Sequence, residues 1–182
     1  MVSDFYGGYN THHGLHQRCW VHFLRDVHAL TEKSPLPGVL AWAKGVRQLY
    51  DRARAFSSAD RKVRAKARVK FQEEVAALAS PYLKTPLSQN TLCKRLLPFE
   101  SELFTFVEHP QVPSENNAAE RVIRSRVIAR KISGGTRSAA GSQTMAVLSR
   151  LFATWQLRGE ESLSACRQML RDAQQQPLAT SA

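Results

Sequence analysis

Features of secreted and membrane proteins are scarce in this sequence. Three cysteines occur in 182 residues, Cys19, Cys93 and Cys166, and their odd number and wide spacing argue against a disulfide framework and indicate a reducing compartment. No apolar run approaches the roughly 20 residues that span a bilayer. The N-terminal segment MVSDFYGGYN lacks the charged and then apolar order of a signal peptide. These absences predict a cytoplasmic protein that does not associate with a membrane.

Acidic residues are also few. The chain has 15 Asp and Glu against 26 Lys and Arg, a net charge of +11 and a pI near 10.1. Between Arg121 and Arg158 there are eight basic residues and no acidic one. A positive surface of this kind favours the phosphate backbone of nucleic acid as partner, with an acidic membrane surface as the lesser alternative. The 43% hydrophobic content is enough for a real core, in one domain or in one domain and part of another.

The spacing of apolar residues predicts a mainly α chain. A short strand in LHQRCWV is followed by a helix in HFLRDVHALTEK, and the break SPLPG comes after that helix. Further predicted helices cover residues 40–55, a segment capped by Ser58, and residues 88–107, 142–158 and 162–173. The tail, QQQPLATSA, is expected to be disordered.

Two of these helices carry apolar stripes that predict core positions. The stripe of the helix capped by Ser58 consists of Val63, Ala67, Phe71, Val75 and Leu78. The stripe of the helix at 142–158 consists of Leu148, Leu151, Phe152 and Trp155. The first of these helices also contains RKVRAKARVK, with six basic residues in ten, which a solvated face explains as well as DNA contact does.

The segment SENNAAERVIR, residues 114–124, predicts a helix whose acids precede a run of arginines. The Ser114 hydroxyl suits a helix cap, and Glu115 suits the positive end of the helix dipole. The apolar face consists of Ala119, Val122, Ile123 and Val127. The adjoining polar stripe consists of Asn117, Glu120, Arg121 and Arg124. Glu120 therefore lies at the edge of the buried face, either in an ion pair with Arg124 or beside a cationic surface that suits phosphate.

Two segments near the N-terminus carry candidate metal ligands. Asp4, in VSDFYGGY, follows a presumed strand, where an acid suits a metal site, although Asp before glycine taken alone favours a turn. In HHGLHQRCWVH, the residues His16, Cys19 and His22 recur every three positions, with two further histidines nearby. Residues three apart on a strand point to opposite faces, and no fourth ligand with paired spacing occurs, so structural zinc is disfavoured. His22, at the beginning of a helix, is the one histidine that we assign to a site.

Three motifs occur in the order found in a known family. SDFYGGYN, QRCWVHFLRD and SENNAAERVIRSRVIARKISGG resemble the DDE transposases of the insertion sequence 66 family. The resemblance implies the C-terminal portion of a ribonuclease-H-like (α/β) domain with an all-helical insertion. It implies a core remnant at 1–35, the insertion at 36–109, a catalytic helix with packing helices at 110–174 and a tail at 175–182.

The resemblance also implies site residues. Asp4 matches the second catalytic acid, Glu120 matches the third, and Cys19 and His22 match a Cys-x-x-His element near the active site, with Asn117 close by. Such carboxylates hold two Mg²⁺ (or Mn²⁺) ions about 3.5 to 4 Å apart. The family's first acid lies upstream of the second and is not in this chain. The metal is therefore expected only in the complete protein.

The function implied is bacterial DNA transposition, by metal-dependent DNA strand cleavage and strand transfer. The partners implied are transposon ends and target DNA, with a homo-oligomer in the complete protein. The residues predicted to contact DNA are Arg121, Arg124, Arg126, Arg130, Lys131 and Arg137. The isolated chain is expected to be inactive because it has no first acid. The alternative is a non-catalytic basic DNA-binding fragment that modulates an intact transposase.

Overall fold

The computed structural model describes residues 1–175, except for the side chains of residues 122 and 175. It divides into two compact units, Met1–Asn116 and the part that begins at Asn117, and each unit is described by itself. Most of the tail that was predicted to be disordered, residues 176–182, lies outside the described residues. The expectation of a mainly α chain is confirmed.

The first unit combines a short parallel sheet with six helices. Strands β1 and β2 pair with Val2 opposite Gln17 and Ser3 opposite Arg18. The strands are β1 (Val2–Ser3) and β2 (Gln17–Arg18). The helices are α1 (Trp20–Lys33), α2 (Pro37–Ala55), α3 (Arg61–Ala79), α4 (Asn90–Leu96), α5 (Glu100–Leu103) and α6 (Thr105–Glu108). The predicted strand in LHQRCWV is thus confirmed over two residues, and the helix after it begins at Trp20.

Two helix beginnings differ from the prediction. Helix α2 begins at Pro37 rather than at residue 40, because proline suits the first helical turn, where its missing N–H would have no helical partner. The cap of α3 is Asp60, whose carboxylate accepts the Lys62 N–H at 2.7 Å. The predicted cap, Ser58, was wrong, since its hydroxyl instead accepts the N–H of Asp60 at 3.2 Å.

The single helix predicted at 88–107 is broken into α4, a 3-10 turn at Leu97–Phe99, α5 and α6. Pro98 supplies no backbone N–H in the turn. At the second break the Leu103 carbonyl accepts from the side chains of Gln17 (2.9 Å) and Trp20 (2.6 Å). The Val107 N–H accordingly donates to Phe104 at 3.1 Å. Contacts with distant residues therefore override local helical preference here.

One aromatic core holds the first unit together. Trp20, Phe23 and Phe104 are fully buried, and the ring of Phe71 stacks on that of Phe104 with centroids 5.7 Å apart. The predicted α3 stripe is confirmed at Phe71 and Val75, while Ala67 and Leu78 pack partly buried against the core. Val63 is 45% exposed, so its assignment to the core was wrong.

The second unit has three described helices, α7 (Asn117–Ser133), α8 (Ala139–Leu157) and α9 (Ser162–Gln175). Ser138 caps α8 by accepting the Gly141 N–H at 3.0 Å, so this helix begins three residues before the predicted Ser142. Gly134 and Gly135 follow α7 with φ of 69° and 86°, conformations that glycine adopts without strain. The loop after α7 therefore depends on its glycine pair.

Apolar residues of the second unit are less buried than predicted. In α8, Trp155 is buried, whereas Leu148 and Phe152 are exposed by 41% and 42%, so the core assignment was wrong for these two. In α7, Ile123 is 55% exposed and Ala119 is exposed as well. Two members of the predicted buried face of α7 are therefore in solvent, whereas Val127 is half-buried. The side chain of the remaining member, residue 122, lies outside the description.

Candidate functional site

The carboxylate of Asp4 lies directly after β1, at the predicted strand exit. Its Oδ1 accepts the Tyr6 N–H at 2.9 Å. The Asp4 carbonyl accepts from Ser3 Oγ and from Arg18 Nη1, each at 2.9 Å. This is the side chain to backbone pattern by which aspartate closes a turn. Asp4 therefore both follows a strand and closes a turn. Its side chain and its backbone carbonyl are each held by hydrogen bonds.

Arg18 is the centre of the polar network around Asp4. Its side chain is fully buried, and its Nε donates to Glu102 Oε2 at 2.7 Å. Its Nη1 reaches the Asp4 carbonyl, and its Nη2 donates to Asn10 Oδ1 at 2.8 Å. The guanidinium also lies over the Phe99 ring, 4.2 Å from its centroid. A buried charge with this many partners is satisfied, and it ties both ends of the loop 4–10 to α5.

His16, the residue directly before β2, joins the same network. Its Nδ1 lies 2.9 Å from Glu102 Oε2, and its Nε2 lies 2.7 Å from Ser3 Oγ. Burial lowers the pKa of His16, and the nearby Glu102 carboxylate opposes that shift. Cys19 is buried, and its Sγ accepts the Asn116 N–H at 3.4 Å. Two members of the disfavoured zinc pattern therefore have partners inside the protein.

The other predicted residues divide between the two units. His22 lies half-buried in the first turn of α1, within the first unit. In the second unit, Asn117 begins α7, and Glu120 lies half-buried in its first turn because the helix begins later than predicted. The predicted cap of this helix, Ser114, was wrong, because its hydroxyl bonds with the Tyr50 hydroxyl at 3.1 Å and its carbonyl accepts the N–H of Trp20.

The basic residues of α7 differ in their exposure. Arg121, Arg124, Arg130 and Lys131 have exposed side chains, and so does Arg137 in the loop that follows the helix. Arg126 is half-buried, and its guanidinium donates to the carbonyl of Ser149 in α8. Arg126 therefore joins α7 to α8, while the other five side chains face solvent, where phosphate groups can approach.

The basic run of α3 is partly structural. Arg64 Nε donates to the Glu108 carbonyl at 3.0 Å, and Arg68 Nη1 donates to a Glu108 carboxylate oxygen at 2.7 Å. The Arg68 hydrogen bond lowers the pKa of Glu108. The exposed members of the run are Arg61, Lys62, Lys66 and Lys70. Two of the six basic residues, Arg64 and Arg68, therefore bond with Glu108 of α6. The sequence pattern did not distinguish these two from the four exposed ones.

The donor set for a divalent cation is incomplete in the described chain. Carboxylate oxygens such as those of Asp4 and Glu120 are of the kind that Mg²⁺ binds. Among residues 1–175, however, no group of three or more His, Cys, Asp or Glu side chains is placed to hold a metal ion. Asp4 and Glu120 belong to different units, so the surroundings of each are described separately. These residues do not by themselves make up a metal site.

The pattern of Asp4 at a strand exit, Glu120 in the first turn of a basic helix and a helical block between them accords with one known family. Residues 1–144 match the family model described as Transposase IS66 family. The chain belongs to the IS66 transposase family. The match includes both carboxylates and the basic residues as far as Arg137.

One relative shows how much of an IS66-type protein this chain represents. The chain is 34% identical over 143 residues to the uncharacterized protein y4jO of Sinorhizobium fredii. The alignment covers 78% of this chain and 43% of that relative. This IS66 chain therefore spans less than half the length of the relative. No solved structure matches it. None of the described helices is long and apolar enough to cross a membrane.

Arg18 and Glu102, which hold the Asp4 loop in place, were not among the predicted site residues. They lie 84 residues apart, so no local pattern connects them. The available signal was the position of Arg18 between Gln17 and Cys19 in a short presumed strand, because a cation in a buried strand needs an acidic partner. That signal indicates an ion pair but does not identify Glu102.

Proposed function

We propose that this chain is the C-terminal part of a ribonuclease-H-like DDE transposase domain, which acts in DNA transposition by metal-dependent strand cleavage and strand transfer. In this proposal Asp4 and Glu120 are two of the catalytic carboxylates, and a further acid comes from outside this chain. Family membership and the placement of Asp4 directly after β1 support the assignment. Because the described donor set is incomplete, cleavage is a property of the complete, oligomeric protein only.

The observation that carries the DNA part of the proposal is the exposed basic surface of α7. Arg121, Arg124, Arg130 and Lys131 are exposed on one helix, and no acidic residue occurs from there to Arg158. Exposed arginine and lysine side chains bind phosphate oxygens and release counterions. In this proposal α7 contacts the DNA backbone independently of base sequence.

Salt dependence tests this contact. Each phosphate that is neutralised adds about 0.9 to the negative slope of log affinity against log salt concentration. We expect the joint change of Arg130 and Lys131 to alanine to reduce that slope by up to about two. The charge-matched control changes the exposed Lys62 and Lys66 of α3 to alanine. An affinity that is flat between low and moderate salt contradicts the proposal, and an equal effect of both variants contradicts the choice of α7.

The catalytic part is tested in a full-length transposase that contains this sequence. Glu120→Gln keeps the shape of the side chain but removes its charge, so Mg²⁺- or Mn²⁺-dependent strand cleavage should fall by several orders of magnitude while folding is retained. If Glu120 serves only in an ion pair with Arg124, the variant loses about 0.5 kcal/mol of stability and keeps cleavage. Retained cleavage excludes Glu120 and makes Glu115 the next candidate.

The second candidate function is a non-catalytic DNA-binding fragment. The observation that favours it is that residues 1–175 hold no group of three potential metal ligands. Under this alternative the chain binds transposon DNA without cutting it and lowers the activity of an intact transposase in the same reaction. We expect no metal-dependent cleavage by the isolated chain under either proposal. Robust cleavage by the chain alone contradicts the proposal that a further catalytic acid must come from outside this chain.

A further inference from the structure

Two tyrosines lie in solvent on the loop that follows Asp4. Tyr6 is 68% exposed and Tyr9 is 41% exposed, although each ring carries a large apolar surface. Their ring centroids are 5.8 Å apart and the ring planes meet at 80°. The pair is thus arranged edge to face, and neither ring belongs to the core of the first unit. The pair therefore presents apolar ring surface to solvent beside Asp4.

The loop that carries these rings is held in shape by buried groups. Arg18 donates to the Asp4 carbonyl at one end of the loop and to Asn10 Oδ1 at the other. The Tyr6 N–H donates to the Asp4 carboxylate, which fixes the backbone of Tyr6 itself. Arg18 is in turn bound to Glu102 of α5. The rings are therefore displayed by a preorganised loop, and a ligand that contacts them need not order it.

Gly8 positions the Tyr6 ring. A Cβ atom built on Gly8 would lie 2.5 Å from Cε1 of Tyr6 and 3.0 Å from its Cδ1, so the ring rests directly on the Gly8 backbone. A Cβ atom built on the neighbouring Gly7 would meet nothing within 4 Å. Neither glycine has a positive φ, so each backbone conformation accepts alanine. The ring therefore rests against the loop, while the Tyr6 side chain as a whole stays largely exposed.

We infer that Tyr6, seated on Gly8 and paired with Tyr9, is a stacking platform for an unpaired DNA base. The chemistry favours a base over a phosphate, because the loop 4–10 contains one charged side chain, Asp4, and that charge is negative. Aromatic rings bind bases of unpaired strands through their faces, whatever the sequence, whereas bases in a duplex are already stacked. The inference rests on the proposed DNA function and adds a preference for unpaired strands beside Asp4.

The test compares the affinity of the whole chain for a short single-stranded oligonucleotide with its affinity for a duplex of the same sequence. Fluorescence anisotropy of the labelled DNA measures both affinities at several salt concentrations. We expect Tyr6→Ala to weaken single-strand binding about tenfold with an unchanged salt slope, since stacking releases no counterions. Duplex binding should be unchanged. Tyr6→Phe should retain single-strand affinity because it keeps the ring face.

The glycine pair supplies a test that removes no aromatic group. Gly8→Ala should displace the Tyr6 ring and weaken single-strand binding in the same direction as Tyr6→Ala, while Gly7→Ala should bind as the unchanged chain does. Far-ultraviolet circular dichroism checks that all variants keep their helices. Together these variants distinguish the effect of moving the Tyr6 ring from the effect of removing it.

Three results overturn the inference. If Tyr6→Ala binds single strands normally, the platform is excluded while DNA binding stands. If it weakens duplex and single-strand binding equally, the loss is not one of base stacking. If the unchanged chain binds neither form of DNA at any salt concentration, the proposed function fails first and the platform fails with it.

Discussion

The two units of this protein use similar helices but bury their apolar residues to different extents. In the first unit Trp20, Phe23 and Phe104 are fully buried in one aromatic core. In the second unit Ile132 and Leu157 are exposed by 81% and 85%. Helical apolar spacing therefore predicts a helix in both units but predicts burial only where other elements cover the helix.

Some of the exposed apolar residues of the second unit line a cleft. The cleft lies between α7 and α8, has a volume of about 690 Å³ and contains Ile123, Met145, Leu148 and Phe152 in its lining. Within the described part of this unit, Trp155 is the one large apolar side chain that is buried. The first unit thus derives stability from its own core, whereas the second gains less stability from internal packing.

The largest expected effect tests this difference with one substitution in each unit. Phe71→Ala should lower the free energy of unfolding by roughly 3 to 5 kcal/mol, because it opens a cavity against Phe104. Phe152→Ala, at a side chain that is 42% exposed, should cost only about 1 kcal/mol. Urea denaturation followed by circular dichroism measures both. A loss under about 1 kcal/mol for Phe71→Ala contradicts its core assignment, and equal losses remove the distinction between the units.

A smaller effect tests whether the first unit also depends on its buried polar network. Glu102→Gln removes the charge that faces Arg18 and His16, and it should cost about 2 to 3 kcal/mol because Arg18 stays buried with fewer partners. Asp51→Asn is the control, since it breaks the exposed pair with Arg47 and should cost about 0.5 kcal/mol. Similar losses for the two variants would show that the network contributes no more than a surface ion pair.

The smallest effect is a pH dependence of the same network. Burial lowers the folded-state pKa of His16, with Arg18, His12 and the N-terminal amino group adding to the shift and Glu102 opposing it. The unfolded chain therefore binds the proton more readily, and the free energy of unfolding falls as pH drops below about 6.5, by less than about 1.4 kcal/mol per pH unit.

Denaturation between pH 7 and pH 5 measures this slope. His16→Gln should flatten it, whereas His28→Gln, at an exposed histidine of α1, should leave it unchanged. A separate loss is expected below about pH 4.5, where protonation of Glu108 removes the stability that its Arg68 partner confers. A slope that persists in His16→Gln assigns the pH dependence to another group.

Local patterns in the sequence predicted the elements but not their ends or their partners. The strand before Cys19, the helix of Phe71 and the helix that contains Glu120 follow from residue spacing and are present. Ser58 and Asp60 both suit a helix cap, and only the hydrogen bond to Lys62 distinguishes them. Which of two suitable residues caps a helix depends on the backbone conformation at each, and the spacing of apolar residues does not determine that conformation.

Long-range contacts account for the larger differences between the predicted and the observed structure. The break at Phe104 arises because the Leu103 carbonyl accepts from Gln17 and Trp20, more than 80 residues earlier in the chain. The support of Asp4 by Arg18 and Glu102 is of the same kind. A single sequence does not identify the partners in such pairings, so the position of Asp4 directly after a strand was predicted, but the groups that hold its loop were not.

Gln17 has a consequence for how this protein is made. Its side chain donates to the Leu103 carbonyl and accepts the Phe106 N–H, 86 and 89 residues further along the chain. At ribosomal rates of about 5 to 20 residues per second, the nascent N-terminal segment waits on the order of ten seconds for these partners. During that time Trp20 lacks the carbonyl to which its indole N–H donates. The segment around Gln17 is therefore synthesised well before residues 103–106, and it stays without these hydrogen bonds until they are made.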